Sequence, residues 1–212
     1  MSEQPSSEPR NTVNQDQQPQ SVLSGLAEII RFAIIAILIV VPVRMFIAQP
    51  FIVSGASMDD TFHTGEYLII DQVSYHFEQP DRGDIVVFRY PRDPSKFFIK
   101  RVIGLPGDEV NIENSVVTIT NQEHPEGFVL EEPYVQTMSP APALSESLGD
   151  REFFVMGDNR DQSSDSRSWS ILQEDRIVGR ALVRLFPPTM VDFMPGDVSI
   201  DESLLEPQTI LR

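Results

Sequence analysis

Residues 29–48 read Ile-Ile-Arg-Phe-Ala-Ile-Ile-Ala-Ile-Leu-Ile-Val-Val-Pro-Val-Arg-Met-Phe-Ile-Ala, with no polar face through the middle. Such a stretch must be covered, either by lipid or by other protein. A hydrocarbon core of about 30 Å requires a helix of about 20 residues, which is what this run offers. Arg31 and Arg44 stand near its two ends, where long cationic side chains reach toward headgroups. Pro42 removes one helical hydrogen bond, which is tolerable near an end. The expectation is a transmembrane anchor at residues 25–48. Two other readings compete. Residues 32–43 match the apolar centre of a cleaved secretory signal, about 7–15 residues long. Against that, roughly thirty residues come first, and Phe46-Ile47-Ala48 lacks the usual pair of small residues. A buried amphipathic helix would need the polar face that is missing.

Before the anchor, residues 1–24 are rich in Ser, Gln, Asn, Pro and Glu and have little to bury, so they are expected to be a disordered cytoplasmic tail. After it the pattern changes to short β-rich runs at residues 66–73, 84–90, 96–103, 109–112, 116–120, 152–156 and 177–186. Pro80-Asp81-Arg82-Gly83, Pro91-Arg92-Asp93-Pro94 and Leu105-Pro106-Gly107-Asp108 punctuate them as turns. Many short strands with few helical periods imply a mostly antiparallel β domain at residues 49–190. Residues 136–150 read as a mobile Ser/Pro/Ala-rich loop, and residues 191–212 as an acidic extension, either tail or extra strand.

The formal charge of −16 argues against nucleic acid, which needs a basic footprint, and against general attraction to anionic lipid. With no cysteine there is no disulfide, thiolate zinc site or cysteine nucleophile, and no compartment is implied. His63, His76 and His124 lack a matching acid motif and are expected at the surface. The cluster Asp158, Asp161 and Asp165 is reminiscent of a calcium loop, but Ser166 stands where that loop needs glycine and Leu172 where it needs glutamate. No metal and no cofactor are expected.

Chemistry points instead to a serine and a lysine. Ser54-Gly55-Ala56-Ser57-Met58 is a small-residue turn exposing the Ser57 hydroxyl just after the apolar stretch. Lys100 sits in the apolar run Phe97-Phe98-Ile99-Lys100. Serine needs a base to take its proton, and lysine serves only when neutral. Burial lowers an amine's pKa by up to about 3–5 units, from about 10.4 into the neutral range. Strand alternation alone leaves the facing of Lys100 open, with Lys96 as its competitor.

Four blocks resemble, in order, the motifs of bacterial type I signal peptidases. These are Ser54-Gly55-Ala56-Ser57-Met58 with Thr61, then Arg82-Gly83-Asp84-Ile85-Val86-Val87-Phe88. Lys100-Arg101-Val102-Ile103-Gly104-Leu105-Pro106-Gly107-Asp108 follows, and residues 157–167 from Gly157-Asp158-Asn159-Arg160 to Ser166-Arg167 close the set. The resemblance spans roughly residues 29–186. It implies an antiparallel, barrel-like β fold behind one membrane helix, and a single-pass plasma-membrane enzyme with its catalytic domain on the extracytoplasmic face. It implies Ser57 as nucleophile, Lys100 rather than Lys96 as general base, and Ser163 as hydrogen-bond support for the amine. Asp158, Arg160, Asp165 and Arg167 would hold the last loop by salt bridges. Ile52, Val53, Gly55 and Met58 would contact an extended signal peptide, with small residues preferred at the first and third positions before the cut. The partners implied are exported preproteins and the lipid bilayer.

Two positions depart from the family pattern. Asp60 stands where a proline is common, and a carboxylate there would favour protonated Lys100. Gly55 stands where some relatives have a serine that adds an oxyanion donor, leaving the Ser57 N–H as the identified one. These keep alive a catalytically silent, membrane-anchored β domain that binds extended peptides. A self-cleaving peptidase of the SOS-repressor type shares the serine/lysine chemistry, but the anchor and the acidic balance disfavour it.

Overall fold

The computed structural model describes residues 22–42, 48–136 and 142–198. They fall into two units, divided at Val41/Pro42. The first contains α1, Val22–Pro42, whose backbone runs for 21 residues. Its side chains are described over residues 25–41, and among the described residues no helix is long and apolar enough to cross a membrane. The described helix runs to Pro42 and Ala48 opens a strand, while residues 43–47 of the run expected as an anchor at 25–48 lie outside the described residues. The expected tail lies outside the described residues, apart from the first turn of α1.

Among the described residues the second unit holds twelve strands in two open antiparallel sheets, so the barrel-like expectation is corrected: no described sheet closes on itself. The strands are β1 (Ala48–Ile52), β2 (Tyr67–Asp71), β3 (Ile85–Arg89), β4 (Phe97–Gly104), β5 (Glu109–Glu113) and β6 (Val116–Thr120). Then come β7 (Phe128–Val129), β8 (Leu144–Ser147), β9 (Glu152–Met156), β10 (Leu172–Gln173), β11 (Ile177–Phe186) and β12 (Asp192–Phe193). The larger sheet runs β1-β2-β11-β3-β4-β9-β10, with β12 beside β11; the smaller runs β7-β6-β5-β8.

Burial explains which sequence runs became central strands. Ile85-Val86-Val87-Phe88 is buried throughout because β3 is covered on both faces. Ile85 and Val87 join a cluster with Met58, Phe62, Leu68 and Ile70, while Val86 and Phe88 join Val102, Phe153, Val155 and Trp169. Each such side chain contributes about 1.5–3 kcal/mol of transfer free energy. By contrast β5 and β6 alternate buried and half-exposed residues, with Val110, Ile112, Val117 and Ile119 facing a third cluster. Asn114 and Ser115, both at positive φ, make the two-residue hairpin between them.

One further expectation is corrected, and the choice left open for the acidic extension falls in part to the extra strand. Within residues 136–150, Leu144–Ser147 pairs with β5 instead of forming a loop; polar Ser145 and Ser147 suit an edge strand, whose partner is already formed. The acidic extension is partly structural. Asp192 and Phe193 pair with Arg184 and Val183, and the Gly196 carbonyl accepts 2.7 Å from Arg101 Nη1.

Candidate active site

The turn after β1 is held from both sides. Val53 N–H donates to Glu66 O and Gly65 N–H to Val53 O, both at 2.9 Å. Gly55 adopts φ +103°, a conformation that costs glycine little, and its N–H donates 3.0 Å to Thr64 Oγ1. Met58 plugs the apolar cluster at 1% exposure, with Phe62 N–H donating 2.7 Å to its carbonyl. Between exposed Gly55 and buried Met58, Ser57 is left half-buried with its hydroxyl toward β4.

Lys100 lies opposite Val86 in the β3–β4 register and is 3% exposed. Its Nζ stands 2.6 Å from Ser57 Oγ and donates 2.8 Å to its neighbour's carbonyl, Ile99 O. Burial pushes the amine down to about 8, against the opposing pull of the Asp165 and Asp158 carboxylates. The inward facing that alternation left open is therefore decided by the sheet. Lys96, by contrast, is an exposed residue paired with Asp93 at 3.2 Å.

Behind this pair lies a buried ionic frame. Arg101, fully buried, donates to both oxygens of Asp158 at 2.9 and 2.7 Å and to Gly83 O at 2.9 Å. Thr61 Oγ1 donates 2.5 Å to Asp158. One residue on, Asn159 N–H donates 3.2 Å to Ser57 O, so the loop carrying Asp158 grips the backbone of Ser57. Asp165 accepts from Arg167 Nε and Nη2, each at 2.8 Å, and from Gly157 N–H at 3.1 Å. Burial opposes its charge, but Arg167 and these hydrogen bonds hold its carboxyl below the usual range.

The loop residues expected to pair do so with partners that were not all foreseen. Only Asp165 and Arg167 pair with each other; Asp158 takes Arg101, and Arg160 takes Glu132 in a two-pronged, buried contact. Tyr134 Oη donates 3.1 Å to Glu132, and its ring lies 3.9 Å beneath the Arg101 guanidinium. Glu132 and Tyr134 were invisible in an irregular polar stretch. No local pattern marked them, since Glu132 lies 28 residues from the arginine it pairs with.

Ser163 does not support the amine as expected. Its buried hydroxyl lies against the Asp165 carboxylate and helps hold that group below the usual range, while the Lys100 amine donates to Ile99 O. Asp60 is exposed, and the carboxylates acting on Lys100 are Asp165 and Asp158.

A cavity of about 460 Å³ opens beside Ser57 and Lys100. Ile52, Val53 and Gly55 line it, together with Phe97, Phe98 and Ile99. Met58 does not; it packs below the turn in the core. Ile52 is 58% exposed, giving the cavity an apolar rim.

Residues 26–186 match the family described as signal peptidase, peptidase S26. A Synechocystis protein named "Probable signal peptidase I-1" is 38% identical over 169 residues, covering 76% of this chain and 83% of that one. The signal peptidase I of Leptolyngbya laminosa is 36% identical, covering 77% and 81%. Signal peptidase IB of Staphylococcus aureus strain COL is 31% identical, covering 72% and 85%. The matched span takes in the Ser57 turn, all of β4 and the Asp158 loop, and on that ground this chain belongs to the signal peptidase family, peptidase S26.

Proposed function

We propose that this protein is a membrane-tethered serine endopeptidase that removes signal peptides through Ser57 and Lys100. The 2.6 Å separation of Lys100 Nζ from Ser57 Oγ, inside a desolvated pocket, is the observation that carries the reading. Neutral Lys100 accepts the Ser57 proton as Oγ attacks the scissile carbonyl. The ammonium then delivers that proton to the leaving amine, and the C–N bond breaks to leave an ester on Ser57. Water, deprotonated by the same lysine, attacks the ester and releases the new carboxylate. The backbone N–H of Ser57 serves the developing oxyanion. Arg101, Asp158 and Thr61 position the turn and loop that carry the reacting pair.

An extended substrate fits the strand geometry. Among the described residues β4 pairs with β9 only from Arg101 onward, which leaves the β9-side edge of residues 97–100 to accept a strand. Ile52 and Val53 face that edge across the cavity and form shallow apolar subsites for small side chains before the cut.

Tethering rests on the apolar run of residues 29–48 in the sequence, part of which lies on α1. Ile29, Phe32 and Leu38 on it are exposed, as lipid-facing side chains would be. A substrate held in the same bilayer meets the site at high effective concentration. The proposed enzyme has its catalytic unit on the extracytoplasmic face of the plasma membrane, as the family resemblance implies.

The test is cleavage of a preprotein by the purified chain beside Ser57→Ala and Lys100→Ala. Each substitution should reduce the rate on the order of 10³-fold or more. Equal cleavage by all three refutes the mechanism. A wild-type chain that binds the preprotein without cutting it would favour the catalytically silent β domain instead.

A further inference from the structure

Of the residues lining the cavity beside Ser57, only Lys96 and Lys100 are charged, and none is a carboxylate. That is unusual ground on a chain with a net charge of −16. Lys100 belongs to the reacting pair, which leaves Lys96 as a fixed cation at the cavity's outer end. Tyr90 N–H donates 2.9 Å to Lys96 O, continuing the ladder that pairs Arg89 with Phe97, so Lys96 is in register with β4. Residues 96, 98 and 100 therefore share a face, and Lys96 stands about 13 Å from Lys100 along the strand at about 3.3 Å per residue. Its side chain is 66% exposed and its ammonium meets Asp93 at 3.2 Å. Asp93 is also occupied by Ser95, whose hydroxyl donates to it at 2.6 Å. An exposed pair of this kind is weak enough for a substrate carboxylate to compete for the lysine.

This inference rests on the peptidase reading, with the first residue before the cut at Ser57, and it lays the upstream chain parallel to β4, from residue 100 back to residue 96. We propose that Lys96 forms an outer subsite that meets the substrate side chain near the fifth residue before the cut and favours a carboxylate there over an ammonium group. The preference is modest because the lysine is solvated, about two- to fivefold in kcat/KM for aspartate over lysine at that position. It weakens with added salt, as exposed charge pairs do.

The experiment uses the full chain in detergent and three peptides with alanine at the first and third positions before the cut. They carry Asp, Asn or Lys at the fifth. The wild type should cleave them in that order of efficiency, Lys96→Ala should compress the Asp/Lys ratio toward one, and Lys96→Glu should invert it. Because each ratio is taken within one enzyme, a general loss of fold or rate cancels. An Asp/Lys ratio that is the same in the wild type and Lys96→Glu overturns the subsite while leaving the peptidase reading intact. Failure of the wild type to cleave any of the three, with a preprotein also uncut, overturns that reading and the subsite with it.

Discussion

Lys100 is a buried amine whose charge is disfavoured by its surroundings, and this makes two pH-dependent quantities move together. With its titration pushed down to about 8, about one molecule in ten holds the neutral amine at pH 7 and half do at pH 8. Peptide cleavage is therefore expected to rise about tenfold from pH 7 to its alkaline plateau, with a kcat/KM midpoint near 8. A midpoint above 10 in the pH–rate profile would contradict the assignment of Lys100 as base. Stability follows the same group. Between pH 8 and the ordinary lysine value of 10.5 the unfolded chain binds the proton that the folded one has lost, so stability rises with pH across that window. Below it Lys100 opposes folding by up to about 3 kcal/mol. Lys100→Met, which keeps the apolar stem, should gain some of that at pH 7 and show no advantage above pH 10.5, as read by denaturant melts.

At the scale of elements, β4 and the loop after β9 form one device. Consecutive residues of β4 serve different ends: Lys100 faces Ser57, and Arg101 ties Asp158, Gly83 and Gly196. Gly157, just before Asp158, admits no side chain, because a Cβ there would lie 2.3 Å from both Ser163 Oγ and Ser57 O. The segment after β7 completes the frame through Glu132. Replacing Glu132 with Gln leaves Arg160 buried without its counter-charge, and should cost about 3–5 kcal/mol in urea or thermal unfolding. Joint replacement of Glu132 and Arg160 by apolar residues of similar volume should recover most of that loss, since the desolvation of both charges is then avoided. Much of this device could be read in the chain before its fold was known. Ser57, Lys100 and the Asp165–Arg167 pair stood in short motifs with local spacing. The partners of Asp158 and Arg160 could not, because Arg101 is 57 residues from Asp158 and Glu132 is 28 from Arg160, and no local pattern links them.

At the scale of the molecule, the chain divides into a helical unit and a β unit. A chain lacking residues 1–41 is expected to cleave short soluble peptides at close to the full-length rate. It should lose at least about tenfold on a preprotein embedded in vesicles, because the shared bilayer no longer concentrates enzyme and substrate. Equal rates for the two forms on vesicle-bound substrate would remove the tether from the mechanism.

Local chemistry was enough to announce the β-rich domain, the strands with strong alternation, the hydroxyl in its small-residue turn and the competing lysines. Those features depend on period, turn residues and side-chain type, all carried within a few positions. Which lysine lost its water, which acids matched which arginines, and that Met58 turned into the core while Ile52 stayed at the rim were decided by packing. So were the pairing of Leu144–Ser147 with a strand already formed and the return of Gly196 to Arg101. Burial and ion pairing depend on what the rest of the chain brings alongside a residue, and that exists only once the sheets have closed over it.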